Sequence, residues 1–244
     1  MLLAQKLNPK RIISYSIALL SLSVTTTYAL PNNFVYLDQI APEIIQEIRY
    51  AGNDNFIGEP IPGYNSARCI LSQQTAEQLK KIQADAKLLG FKLKVYDCYR
   101  PQEAVDAFYD WSQNADDVRM KQWFYPHEAK DTLFDKRYIA VKSGHSRGST
   151  VDITLAALNG QESDSNQDSF EHDHPSINMG TPFDYFDERA HVFAKGLSDQ
   201  QRLNRLTLRT LMLQNGFVPY PEEWWHFTLK EEPYPDTYFN FPVS

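Results

Sequence analysis

The sequence holds only two cysteines, Cys69 and Cys98, and they are not grouped as a Cys-x-x-Cys pair. That spacing excludes a zinc ribbon. Basic residues are also scarce: 24 Lys and Arg stand against 31 Asp and Glu, a formal net charge of −7, and no basic cluster interleaves with aromatics. A surface of that sign repels phosphate backbones and anionic lipid, so nucleic acid is excluded as a partner. No apolar run reaches the ~20 residues that span a bilayer. The most apolar stretch, Ile12 to Val24, is broken by Ser14, Ser16, Ser21 and Ser23. Internal repeats and low-complexity blocks are absent, which excludes a solenoid.

What the first residues do contain is an address. Lys6, Lys10 and Arg11 precede the apolar stretch, and Thr27-Tyr28-Ala29 offers small residues where a signal peptidase reads. Residues 1–29 are therefore expected to be a signal peptide, the competing reading being an uncleaved anchor. Residues 30–244 then form one domain with a substantial core, exported to the periplasm or secreted, with no stable membrane insertion after the leader is removed. In an exported chain an even cysteine count permits a disulfide between Cys69 and Cys98. It would close a loop of about 30 residues and contribute ~3 kcal/mol on the chain-entropy account. Two buried thiols, or two further metal ligands, are the competing readings.

The patterning predicts helices and mostly antiparallel strands in a single α+β domain. Residues 72–89 read as a helix, with Ser72 capping, Leu79, Ile82, Ala86 and Leu89 on one face, and Gly90 as the stop. Lys92 to Tyr99 reads as a strand. Arg100-Pro101 then opens a helix through about Gln113, which puts Arg100 at a strand-to-helix junction, where binding residues are often held. Thr150 to Leu155 alternates as a strand with Asp152 off the apolar face, and residues 157–180 read as a long surface loop. Ser198 caps a third helix whose expected face is Leu203, Leu206, Thr210 and Leu213, ended by Asn215-Gly216. Trp224 to Leu229 alternates as a last strand with His226 on the face away from Phe227, which leaves Glu223 at the strand entrance.

Two segments carry chemistry. Ser143-Gly-His145-Ser-Arg147-Gly-Ser-Thr-Val-Asp152 and Glu222-Glu223-Trp224-Trp225-His226 together offer two imidazoles, a carboxylate and a spare glutamate. A hydrolytic zinc centre needs three protein ligands, an open position and a base. His145, Asp152 and His226 fit as ligands and Glu223 as base. The spacing from His145 to Asp152 is not the local His-Glu-x-x-His helical pair, so this reading depends on a loop returning into a strand and on a distant third ligand. Of the other histidines, His172 and His174 lie in a polar stretch and read as solvated, His191 reads as a structural hydrogen-bonder, and His127 has no evident partner.

Those two segments, with Asp97-Cys98-Tyr99-Arg100-Pro101, Phe183-Asp184-Tyr185-Phe186-Asp187-Glu188-Arg189 and the terminal Glu232-Pro-Tyr-Pro-Asp-Thr-Tyr-Phe-Asn-Phe-Pro, resemble the D-alanyl-D-alanine dipeptidases of the VanX type. The likeness runs from about Phe34 to Val243. It implies a small, mostly antiparallel sheet flanked by helices, as in the zinc peptidases of the D,D-carboxypeptidase and hedgehog group. It also implies one zinc ion per chain on His145, Asp152 and His226, Glu223 as general base, and Arg100 as the cation that stabilises the transition state. For the substrate it implies Asp184 and Tyr50 at the ammonium and Ser143 near the carboxylate. The expected activity is hydrolysis of D-Ala-D-Ala in cell-wall turnover or salvage. A D,D- or L,D-carboxypeptidase trimming stem peptides, or a non-catalytic zinc-stabilised module that binds wall peptides, are the alternatives.

Overall fold

A computed structural model of the protein describes residues 29–159 and 176–244. The leader, and His172 and His174, lie outside the described residues. In chain order the elements are β1 (Phe34–Tyr36), α1 (Leu37–Ile40), β2 (Ile45–Gln46), β3 (Ile70–Ser72), α2 (Gln73–Leu88), β4 (Phe91–Asp97) and α3 (Gln102–Gln113). There follow α4 (Lys121–Phe124), β5 (Thr150–Ala157), α5 (Asp199–Gln214), β6 (Phe217–Pro219) and β7 (His226–Leu229), with short 3-10 turns between. Five strands form one sheet in the order β2-β4-β5-β7-β6, and β1 pairs with β3 apart from it. Only β2 and β4 run parallel; the other pairs are antiparallel. This is the expected α+β domain with a mostly antiparallel sheet. Among the described residues no helix is long and apolar enough to cross a membrane.

The central strands β4 and β5 are buried from Leu93 to Asp97 and from Thr150 to Ala156, so both of their faces are covered, with α2 packed against β4. Helix α2 starts where Ser72 Oγ accepts the Thr75 N–H and buries Leu79, Ile82 and Ala86. Leu89, expected on that face, sits past the helix end and is exposed, with the left-handed Gly90 behind it. Cys69 and Cys98 are joined in a disulfide that ties the start of β3 to the end of β4.

Helix α5 departs further from its expected face. Ser198 does form a capping box with Gln201, but Leu203, Leu206 and Leu213 are exposed, and the buried side chains are Asn204, Arg205, Leu208, Leu211 and Met212. The reason is polar. Arg205 donates to the carbonyls of Met179 at 2.6 Å, His191 at 2.6 Å and Arg189 at 2.9 Å, and Asn204 donates to that of Asn178 at 2.8 Å. Buried loop carbonyls must find donors, and this helix supplies them. An apolar-periodicity reading skips both residues.

Strand β7 begins two residues later than its alternation predicts. Trp224 and Trp225 are both buried, since the Trp224 N–H is taken by the Ala190 carbonyl and its indole N–H by Thr181 Oγ1 at 2.9 Å. From His226 onward the expected alternation holds, with Phe227 and Leu229 inside.

Candidate active site

Three adjacent strands place the acid–imidazole row. A bulge between Val95 and Asp97 shifts the β4 register so that Asp97 lies opposite Asp152 on β5, and Asp152 in turn lies opposite His226 on β7. Directly opposed residues project from the same face of a sheet, and bulges often re-aim a side chain beside a site. His145 arrives from the 3-10 turn Gly144–Arg147 that feeds β5. Ser143 Oγ caps that turn by accepting the His145 N–H at 3.2 Å. The turn closes on Gly148 at φ +80°, where a Cβ would lie 2.3 Å from the Phe34 ring, so only glycine fits.

The ligand expectation can be tested on distances. His145 Nε2 and His226 Nδ1 stand 3.3 and 3.1 Å from Asp152 Oδ1, and 3.4 Å from each other. Zinc bonds of about 2.0–2.1 Å at tetrahedral angles separate donors by about 3.3 Å. The triangle therefore fits one ion. Asp152 Oδ1 is buried and completes no hydrogen bond, an orphan acceptor of the kind an ion satisfies. His145 Nδ1 donates to the Cys98 carbonyl at 2.7 Å, which keeps the proton off Nε2 and aims that lone pair into the triangle.

Charge in the site follows burial. Burial alone would raise Asp152, but His145 and His226 outweigh it and hold its carboxyl well below the usual range. Burial lowers His226, leaving it neutral and able to coordinate. Glu223 sits in the turn before β7, its Oε2 3.4 Å from His226 Nδ1. Burial, then Asp152 and Asp184, push it well above the usual carboxylate range, with Arg100 opposing. A carboxylate so raised is a ready proton acceptor.

Arg100 is gripped by Asp97, whose Oδ2 accepts from Nε and lies 2.9 Å from Nη2. Its guanidinium reaches 3.6 Å from Asp152 Oδ2 and lies 5.0 Å from the ring centroids of both Tyr50 and Phe108. Asp97 is fully buried and also accepts from the Tyr64 hydroxyl at 2.6 Å. Sequence reasoning assigned neither Asp97 nor Tyr64 a role. An acid three residues before a strand-end arginine was the available signal for Asp97; Tyr64 had none, being 33 residues away in the chain.

The residues expected at the substrate are also assembled. The Tyr50 hydroxyl donates to Asp184 Oδ2 at 2.8 Å, both side chains being buried. Asp184 adopts φ +55°, in the left-handed region that aspartate tolerates better than most residues. Burial, then Asp152, raise its pKa well above the usual carboxylate value. Ser143 lines the same cavity, of about 480 Å³, together with Arg100, Asp184, Glu223 and the metal triangle. Buried Asp187 pairs with Arg189 at 3.0 Å, and His127 finds its partner there, 2.7 Å from Asp187 Oδ2. His191 lies 3.5 Å from the Tyr138 hydroxyl, the structural bond expected of it.

Comparison with known proteins agrees with this geometry. The sequence profile described as D-ala-D-ala dipeptidase, of the M15 peptidases, matches residues 31–244. A D-alanyl-D-alanine dipeptidase of Enterococcus faecalis is 41% identical over 213 residues, covering 87% of this chain and 99% of the relative. One from Streptomyces coelicolor is 40% identical, covering 87% and 98%, and one from Escherichia coli 33% identical, covering 81% and 84%. With a His–Asp–His triangle, a raised glutamate and a clamped arginine around one cavity, the chain belongs to the D-ala-D-ala dipeptidase family of M15 metallopeptidases.

Proposed function

We propose that this protein hydrolyses D-alanyl-D-alanine to two D-alanines, using one zinc ion held by His145, Asp152 and His226. The observation that carries the proposal is the donor triangle with edges of 3.1–3.4 Å, with the Glu223 carboxylate beside it. When bound, zinc supplies Lewis acidity at the scissile carbonyl and at the attacking water. Glu223 takes the proton of that water at Oε2 and returns it to the leaving amine. Arg100, held rigid by Asp97, donates to the oxygen on which negative charge develops; loss of such a donor typically costs ~3 kcal/mol of barrier, a few hundredfold in rate.

A dipeptidase must recognise two free ends. Asp184, buried and bonded to Tyr50, is the acceptor proposed for the substrate ammonium, and Ser143 donates to the carboxylate. An ammonium acceptor this enclosed favours a dipeptide over the stem peptide of a carboxypeptidase, whose chain continues beyond that point. Glu223 and Arg100 likewise favour an enzyme over a binding module. Residues 1–29 are proposed as a leader and residues 30–244 as the exported catalytic domain. The Cys69–Cys98 disulfide supports an oxidising compartment, where salvage of dipeptide released from the wall is the fitting role.

The test is alanine release by zinc-loaded protein. D-Ala-D-Ala is expected to be cleaved and N-acetyl-D-Ala-D-Ala left intact, with Glu223→Gln slower by about 10²–10⁴-fold. No release from the free dipeptide, or an unimpaired Glu223→Gln, overturns the reading.

A further inference from the structure

The cavity has a well-defined partner for an ammonium but no assigned cation for a carboxylate. Three basic side chains line it: Arg100, Arg137 and Lys142. Arg100 is bound to Asp97, and the Lys142 ammonium lies 5.1 Å from the Tyr238 ring centroid. Ser143 brings a hydroxyl, but its oxygen already accepts the His145 N–H, and it carries no charge. Arg137 and Lys142 are both exposed at the cavity, and among the described residues neither forms an ion pair, but Lys142 lies against the Tyr238 ring whereas the Arg137 guanidinium has no such ring partner.

The backbone that presents Arg137 is held firmly. Its N–H is bonded to the Phe134 carbonyl at 2.9 Å, and its own carbonyl lies 3.2 Å from the Tyr220 hydroxyl, which also reaches the Glu222 carboxylate. Tyr138 follows, stacked on Phe186 at 5.5 Å, and Ile139 is buried. Between these anchors Arg137 adopts φ +62°, a region uncommon for an arginine, and such residues concentrate at ligand clamps. Tyr220 connects it to the metal triangle, its ring 5.5 Å from that of His226. Asp184 by contrast is nearly inaccessible, at 4% exposure. The cavity thus has a buried acid and an exposed, unpaired cation in its lining, complementary to the two charged ends of a zwitterionic dipeptide.

We propose that Arg137 is a specificity-determining residue that binds the free C-terminal carboxylate of the substrate. A guanidinium matches a carboxylate in two-pronged geometry, and its charge rejects an amide or ester at that end. The inference rests on the dipeptidase reading and deepens it: the substrate class is short peptides free at both ends.

Steady-state kinetics on D-Ala-D-Ala and its C-terminal amide test this, with binding of both to metal-free protein measured by calorimetry. Arg137→Ala is expected to raise KM for the free acid about ten- to hundredfold, the scale of one charge-assisted contact, while kcat moves far less and the amide is unaffected. Arg137→Lys recovers part of the loss. Equal losses on acid and amide, or an unchanged KM for the acid, overturn the assignment. If wild-type protein cleaves neither compound, the dipeptidase reading fails, and calorimetry still decides Arg137. Tighter binding of acid than amide that disappears in Arg137→Ala upholds it; equal binding, or none, overturns it.

Discussion

At the scale of single residues, the site is a set of buried charges, each workable only because a neighbour is fixed against it. Asp97 is the clearest case. One fully buried carboxylate accepts from Tyr64 and Arg100 and lies 3.4 Å from His145 Nδ1, so it orients the cation and stands behind a ligand. Asp97→Asn keeps the shape but loses the charge and turns one acceptor into a donor facing Arg100. Outer partners of this kind cost about 10–100-fold when changed, so kcat is expected to fall by that range while the protein still folds and binds one zinc. Stopped-time alanine assays with zinc titration check it; unchanged kcat would show that Arg100 needs no clamp. The residues proposed as ligands and base could be nominated from the chain because they lie in two short segments, but their meeting depends on the fold. Asp97 could not, since an acid gains this role only when a bulge turns it toward the same face as Asp152.

At the scale of elements, the site depends on where strands end. The Cys69–Cys98 bridge closes the end of β4, and the Cys98 carbonyl is the acceptor that sets His145. Replacing both cysteines by serine is expected to lower stability by ~3 kcal/mol, the chain-entropy scale for a loop of about 30 residues. It is also expected to weaken zinc binding, because the carbonyl that aims Nε2 loses its tether. Urea unfolding and a chelator competition measure the two effects; unaltered zinc affinity would separate the bridge from the site. Elements with local signals were readable in advance: α2 lies where its cap and periodicity put it, α3 follows Arg100-Pro101, and β5 lies where its alternation puts it. The short strands β1, β2 and β3 were not, because two or three residues carry no period, and their pairing is decided by partners far along the chain. Helix α5 was placed correctly and faced wrongly, since Arg205 and Asn204 are buried for their donors.

At the scale of the molecule, the burial around the site concentrates acids whose protons are tied to folding. Asp184, Glu223 and Asp97 are each raised, burial being the largest cause, so above the ordinary carboxylate pKa near 4 the native state holds protons that the unfolded chain has lost. Stability of the metal-free protein is therefore expected to fall as pH rises through that window. Asp152 acts in the opposite sense: its depressed carboxyl stabilises above the ordinary value, and that contribution is lost only as pH falls toward its folded pKa. The urea midpoint of metal-free protein should decline from about pH 4 toward neutrality, less steeply in Asp184→Asn, and zinc should raise it at each pH. Asparagine is the suitable replacement because it tolerates the left-handed backbone at this position. A midpoint that climbs with the same slope in both proteins would show that these carboxyls are not strained by burial. By itself, the sequence determined the inventory of the site: two histidines, two acids and an arginine in segments whose local patterns place them at strand ends and turns. Only the tertiary structure decided which atoms face one another. The donor triangle, the Tyr64–Asp97 bond and the Tyr50–Asp184 pair each join residues distant in the chain, and long-range packing, not local propensity, sets those distances.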